Sequence, residues 1–326
     1  MRSDLVSDYR DWCIPILPKE ATLKKLFKVI GIAAFTMVLL TLAAAGFVMI
    51  RYPRSIPAED LKVETKPEIV ERGRYLANQV AFCMNCHAQR DFSKVAGPVI
   101  PKTLGMGGRI DVFGSAPVNA PNITPHTIGD WTDGELKRAI TSGIDAKGKP
   151  LHPEMPYLTY AHLADEDANA IVAYLRTLSP VADQPPRSRP PFWLGLIARV
   201  LPKPYQPKPQ PDPGDPVARG RYLVRIADCR ACHRSDFSGG MTLYFPDGAT
   251  VVSQNITPVK DTRIGNWTRE DFIGVFASFR DPDTRAATVA PGGMNSVMPW
   301  IQYSDMTDAD IGAIYDYLRT VPPVKR

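Results

Sequence analysis

Cysteine is scarce in this chain, with five residues among 326. Four of them fall in two short runs, so no disulfide framework is left to find. The fifth, Cys13, reads as a free thiol with no special role. Histidine is equally rare at five residues, and beyond His162 only His233 remains. No charge sign dominates: residues 67–179 carry 11 basic and 12 acidic groups, and residues 217–326 carry 13 and 12. That balance leaves no basic footprint for a nucleic acid. A phosphate-cradling glycine loop, a dinucleotide fingerprint and a nucleophile with its base are all missing. Proline alone is in excess, and 12 of its 32 residues crowd into residues 180–216.

What is present begins with Cys83-Met84-Asn85-Cys86-His87 and Cys229-Arg230-Ala231-Cys232-His233. Two thiols three positions apart on one helical turn can each add to a vinyl group on one porphyrin edge. The following histidine then offers its imidazole to the iron. A bare Cys-x-x-Cys serves equally as a zinc half-site or a redox dithiol. The appended histidine, twice over with matching flanks, selects covalent haem. Two haem c groups are expected, held by Cys83, Cys86 and His87 and by Cys229, Cys232 and His233.

Residues 29–50 contain no charge over 22 positions, roughly 30 Å of helix and enough to cross a bilayer. The run is longer than a signal-peptide core of about 7–15 residues and follows 28 hydrophilic residues. An uncleaved single-pass anchor is therefore expected, although Ala43-Ala44-Ala45 could suit a peptidase. Flanking charge is even: Lys19, Lys24, Lys25 and Lys28 face Arg51, Arg54, Lys62 and Lys66, which sets no orientation. Bacterial haem attachment takes place outside the cytoplasmic membrane. On that ground residues 1–28 are expected to be cytoplasmic and residues 51–326 periplasmic.

An internal repeat supplies the organisation. Arg72-Gly73-Arg74-Tyr75-Leu76 recurs as Arg219-Gly220-Arg221-Tyr222-Leu223, and Asp91-Phe92-Ser93 as Asp236-Phe237-Ser238. Asn122-Ile123-Thr124-Pro125 recurs at 255–258, Ile128-Gly129-Asp130-Trp131-Thr132 at 264–268, Met155-Pro156 at 298–299, and Tyr174-Leu175-Arg176-Thr177 at 317–320. Six landmarks in one order mean duplication. The expected fold is all-α: an N-terminal transmembrane helix, then helical domains at 67–179 and 217–326 joined by a Pro-rich linker at 180–216. Middle helices open at Asp133 and Arg269, and terminal helices run from Asp165 and Asp308. Gly73 and Gly220 would let the first helix of each module approach the last under Tyr174 and Tyr317, or merely weaken helix starts. Within the linker, Phe192-Trp193-Leu194-Gly195-Leu196-Ile197-Ala198 is apolar but too short to span a bilayer. It suits a membrane surface, a partner or the chain's own domains. Gly105 to Gly108 reads as a flexible loop.

The second axial ligand comes from the repeat. Methionine sulfur stabilises reduced iron, and Met155 and Met298 each lie 19 residues before the matched Tyr174 or Tyr317. Met106, Met241, Met294 and Met306 have no counterpart. His126, His152 and His162 are rival ligands in the first module, whereas the second offers none. Trp131 and Trp267 are expected to wall the haem crevice. Asn122 and Asn255 either bond haem propionates or shape their loop.

Through these motifs the chain resembles the cytochrome c subunits of membrane-bound dehydrogenases that oxidise alcohols, aldehydes or gluconate. The resemblance covers about 250 residues and implies two class I cytochrome c domains with histidine and methionine on each iron. Many such subunits hold three haems, against two here. It further implies a non-catalytic relay that takes electrons from a catalytic dehydrogenase subunit to quinone, a soluble cytochrome or a terminal oxidase. Service within a respiratory oxidase or reductase complex, and a di-haem enzyme such as a peroxidase, are the alternatives.

Overall fold

A computed structural model describes residues 20–111, 117–290, 293 and 295–325. Cys13, Met294 and most of the 1–28 segment lie outside the described residues. The chain divides into two units after Tyr52. The first consists of α1 (Glu20–Arg51). Leu26, Phe27, Phe35, Leu40 and Phe47 all lie exposed along it. Apolar on every side from Val29 to Ile50, it is the one described helix long and apolar enough to cross a membrane.

The second unit repeats one helical plan. Its first copy contains α2 (Pro67–Tyr75), continued by a π turn at Leu76–Val80, then α3 (Cys83–His87). A hairpin of β1 (Gly108–Ile110) and β2 (Val118–Ala120) follows, with Arg109 paired antiparallel to Asn119. Then come α4 (Pro125–Ile128), α5 (Asp133–Ser142), α6 (Tyr157–Tyr160) and α7 (Asp165–Thr177). The linker carries α8 (Phe192–Val200). The second copy runs through α9 (Pro216–Ile226), α10 (Cys229–His233), β3 (Thr242–Tyr244) and β4 (Thr250–Val252). It ends with α11 (Arg263–Asn266), α12 (Arg269–Ala277), α13 (Pro282–Ala286), α14 (Trp300–Ser304) and α15 (Asp308–Leu318). All long elements are helical. The hairpins have three residues per strand, too few to leave a period-two pattern in the sequence.

Helix starts follow local chemistry. Thr132 and Glu135 form a capping box on α5, and Thr268 and Asp271 form the matching one on α12. Asp215 caps α9 and Thr307 caps α15. The two glycines serve packing. A Cβ on Gly73 would collide with the Ala170 carbonyl and the Tyr174 Cβ, and one on Gly220 with the Ala313 carbonyl and the Tyr317 Cβ. Helices α2 and α7, and likewise α9 and α15, therefore cross backbone to backbone. Leu76, Val80, Leu163 and Val172 are fully buried at one crossing, and Leu223, Val224, Ile226 and Ile311 at the other. A single apolar cluster joins both.

One expectation changes. The Gly105–Gly108 stretch is fixed rather than loose. Gly107 N–H donates to the His87 carbonyl at 3.0 Å, and Gly108 passes so near the Ala88 carbonyl that a Cβ would not fit. The proline strap lies against the first module: Tyr205 donates to the Leu163 carbonyl and Lys208 to the Ala161 carbonyl, both at 2.8 Å. On α8, Ala198 is buried while Phe192 and Trp193 are 68% and 61% exposed. Only one edge of that helix rests on its own unit.

Candidate functional site

All eight residues singled out in the sequence line one cavity of about 1740 Å³: Cys83, Cys86, His87 and Met155, and Cys229, Cys232, His233 and Met298. That exceeds one small-molecule pocket of roughly 300–1,000 Å³. Trp131, Leu136, Ile140 and Leu175 form its walls in the first module, and Trp267, Phe272, Phe276 and Leu318 in the second. Thiols, an imidazole, a thioether and apolar walls around one cavity are the chemistry a covalent porphyrin in each module needs.

The cysteines sit on single-turn helices, each entered through a left-handed residue. Phe82 has φ 38° and Asp228 has φ 49°, strain that persists only where neighbours impose it. Phe82 packs edge-on to Tyr303 at 5.9 Å, and Asp228 accepts from Thr159 Oγ1 at 3.2 Å. Burial pushes the Cys83 and Cys229 thiols up to about 12 and those of Cys86 and Cys232 to about 11. The histidine directly after each pair, not the state of the thiols, separates these sites from a zinc half-site or a redox dithiol.

The histidines are fixed in one tautomer. His87 Nδ1 lies 2.8 Å from the Pro121 carbonyl, and His233 Nδ1 lies 2.7 Å from the Gln254 carbonyl. A carbonyl only accepts, so Nδ1 carries the proton and Nε2 keeps the lone pair that a metal needs. Burial lowers both imidazoles below their usual range, against the smaller upward pull of those carbonyls. The Asn-Ile-Thr-Pro motif explains the carbonyls. Asn122 Oδ1 accepts from Thr124 N–H and Oγ1, and its Nδ2 donates to the Val181 and Asp183 carbonyls. Asn255 repeats this with Thr257 and the Val324 carbonyl. Both amides therefore shape the turn that presents the acceptor to the histidine.

Of the rival histidines, His126 is exposed. His162 Nε2 accepts from the Arg225 guanidinium at 2.6 Å. His152 reaches the cavity wall, its Nδ1 accepting from Glu154 N–H at 3.3 Å. Met306, 2% exposed, lines the cavity as well. One matched pair escaped the sequence reading. Tyr160 donates to the Ala81 carbonyl at 2.7 Å and Tyr303 to the Ala227 carbonyl at 2.9 Å, tying each methionine segment to the chain just before the cysteines. The signal was available: both tyrosines stand five residues after the Met-Pro methionine.

Comparison with known proteins identifies the type of domain. The family described as Cytochrome c matches residues 70–179 and again residues 217–322. The chain is 33% identical over 291 residues to the fructose dehydrogenase cytochrome subunit of Gluconobacter japonicus, covering 82% of this chain and 56% of that protein. It is 30% identical over 281 residues to the gluconate 2-dehydrogenase cytochrome c subunit of Pantoea cypripedii, covering 78% and 59%. It is 31% identical over 264 residues to a diheme cytochrome c-type protein of Cereibacter sphaeroides, covering 74% and 83%. The chain thus spans little more than half of the two dehydrogenase subunits and most of the diheme protein. It belongs to the cytochrome c family, and carries that family's domain twice.

Proposed function

We propose that this chain is a membrane-anchored di-haem cytochrome c that relays electrons from a dehydrogenase catalytic subunit to quinone, a soluble cytochrome or a terminal oxidase. Modules 67–179 and 217–326, joined by the strap 180–216, would each hold one haem c. Cys83 and Cys86 provide thioether links for the first, with His87 and Met155 as the axial pair. Cys229, Cys232, His233 and Met298 do the same for the second. Bound haem supplies reversible one-electron exchange. The residues hold the imidazoles through the Pro121 and Gln254 carbonyls, exclude water with the apolar walls and present sulfur from the Met-Pro turns. With a histidine and a methionine holding each haem, substrate chemistry would belong to a partner subunit. Helix α1 would hold residues 51–326 on the periplasmic side. The observation that carries this reading is the repeated histidine–carbonyl hydrogen bond in a cavity that also receives a matched methionine.

The test uses the full chain in mild detergent. Two haems per chain are expected, with carbon monoxide binding to neither. Met155→Ala should admit carbon monoxide at one haem and Met298→Ala at the other. Uptake by the unaltered protein would overturn the reading, and a catalytic dehydrogenase subunit is expected to co-purify.

A further inference from the structure

Helix α8 is left unexplained by electron transfer. Seven large apolar side chains are exposed among the described residues after Tyr52, and four lie on this one short helix: Phe192, Trp193, Ile197 and Val200. Leu158, Tyr244 and Val252 are scattered elsewhere in the sequence. At about 100° per residue the four share an arc of roughly 140°, and buried Ala198 falls outside it. The surrounding charge has one sign. Residues 184–203 contain Arg187, Arg189, Arg199 and Lys203 and no acid. Nine residues are too few to cross a bilayer. Aromatic and aliphatic side chains on one face with basic flanks are the composition of helices that lie within a lipid interface.

Chain length supplies a second argument. Only Tyr52 separates the end of α1 at Arg51 from the unit that begins at Pro53. One extended residue reaches about 3.5 Å. With α1 in the bilayer, the haem-bearing unit is tethered at the headgroups, and some face of it must meet them.

We infer that α8 is a second membrane contact: Phe192, Trp193, Ile197 and Val200 enter the headgroup–acyl boundary of an anionic bilayer, while Arg187, Arg189 and Lys203 meet lipid phosphates. The inference rests on α1 being the anchor. Its consequence is orientation, because a tether and a surface helix together fix which face of the haem unit looks toward a membrane partner.

The test keeps the full, haem-loaded chain, with Cys13→Ser, in vesicles of phosphatidylcholine with or without phosphatidylglycerol. A spin label is placed in turn at Trp193→Cys, Ile197→Cys, Val38→Cys in α1, and Asp247→Cys on an exposed loop. Collisions with oxygen, which favours lipid, are compared with those of a water-soluble nickel chelate. The oxygen-to-nickel ratio at 193 and 197 should rise several-fold above that at 247, and more in the anionic vesicles. Nickel preference at 193 and 197 with oxygen preference at 38 overturns the inference and leaves the anchor standing. Nickel preference at 38 as well overturns the anchor. Shielding of 193 and 197 from both reagents means that protein covers α8, and likewise overturns it.

Discussion

Tyr222 of the second module donates its phenolic hydrogen to Asp167 Oδ2 of the first across 2.5 Å. The mirror image exists: Tyr75 of the first module donates to Asp310 Oδ2 of the second at 2.6 Å. Each carboxylate is buried and already paired within its own module, Asp167 with Arg72 Nε at 2.8 Å and Asp310 with Arg219. The first helix of each copy thus locks onto the last helix of the other. A hydrogen bond to a charged group contributes about 1.5–3 kcal/mol, so Tyr222→Phe and Tyr75→Phe should each cost about 2 kcal/mol. Asp167→Ala, which strands Arg72, should cost about 3–5 kcal/mol. Urea unfolding followed by haem absorbance should show one transition in the parent and two in the double tyrosine variant. A single unshifted transition in that variant would mean the modules do not depend on these bonds.

The glycine crossings give a contrast between identical substitutions. Gly73→Ala and Gly220→Ala must force apart helices that touch backbone to backbone, an overpacking cost of about 1–3 kcal/mol. Gly274→Ala on α12 meets nothing within 4 Å and should stabilise by up to about 1 kcal/mol. Denaturation midpoints of the three variants check the order, and a loss at Gly274 equal to that at Gly73 would refute it.

What the sequence made legible was chemistry that is local and written twice. The haem-motif spacing, the helix starts at Asp133 and Arg269, the two crossing glycines and the Met-Pro pairs all depend on near neighbours, and duplication separated them from chance. Long-range pairings left no such trace. Asn122 spends its amide on strap carbonyls about 60 positions away, and Tyr75 meets Asp310 across 235. Phe82 and Asp228 share a strained conformation yet differ in type, so the repeat hid their equivalence. The Gly105–Gly108 stretch looked mobile because its partner, the backbone after the first haem motif, carries no side-chain signature.

A pH dependence resides at the same interface. Burial, reinforced by the Arg225 guanidinium and Lys208, lowers His162 to about 4. In an unfolded chain histidine titrates near 6.5. Between those values the unfolded chain takes a proton that the folded chain refuses, so stability falls as pH drops from 6.5 towards 4 and is fully present above that window. His162 is only partly buried, and solvent screening holds the effect to about 1 kcal/mol or less. His162→Gln keeps an acceptor for Arg225 and should flatten the urea midpoint between pH 7 and pH 4.5. An unchanged slope would remove His162 from the account.

Asp228 and Phe82 hold equivalent places directly before the first cysteine of each motif, and only one of them carries charge. The Asp228 carboxyl lines the cavity beside Cys229 and Cys232. Burial raises it and the Thr159 hydroxyl opposes that rise. A negative charge near the iron favours the ferric state, and local charge is one of the levers on haem potential. A carboxylate lining the cavity would act on a haem held there through space, and loss of its charge would favour the ferrous form. Asp228→Asn should therefore raise the potential of the second haem more than that of the first, and Phe82→Asp should lower the first. Potentiometric titration resolves the two. If Asp228→Asn left the second haem unmoved, the asymmetry between the modules would have to arise from their walls instead of from this carboxylate.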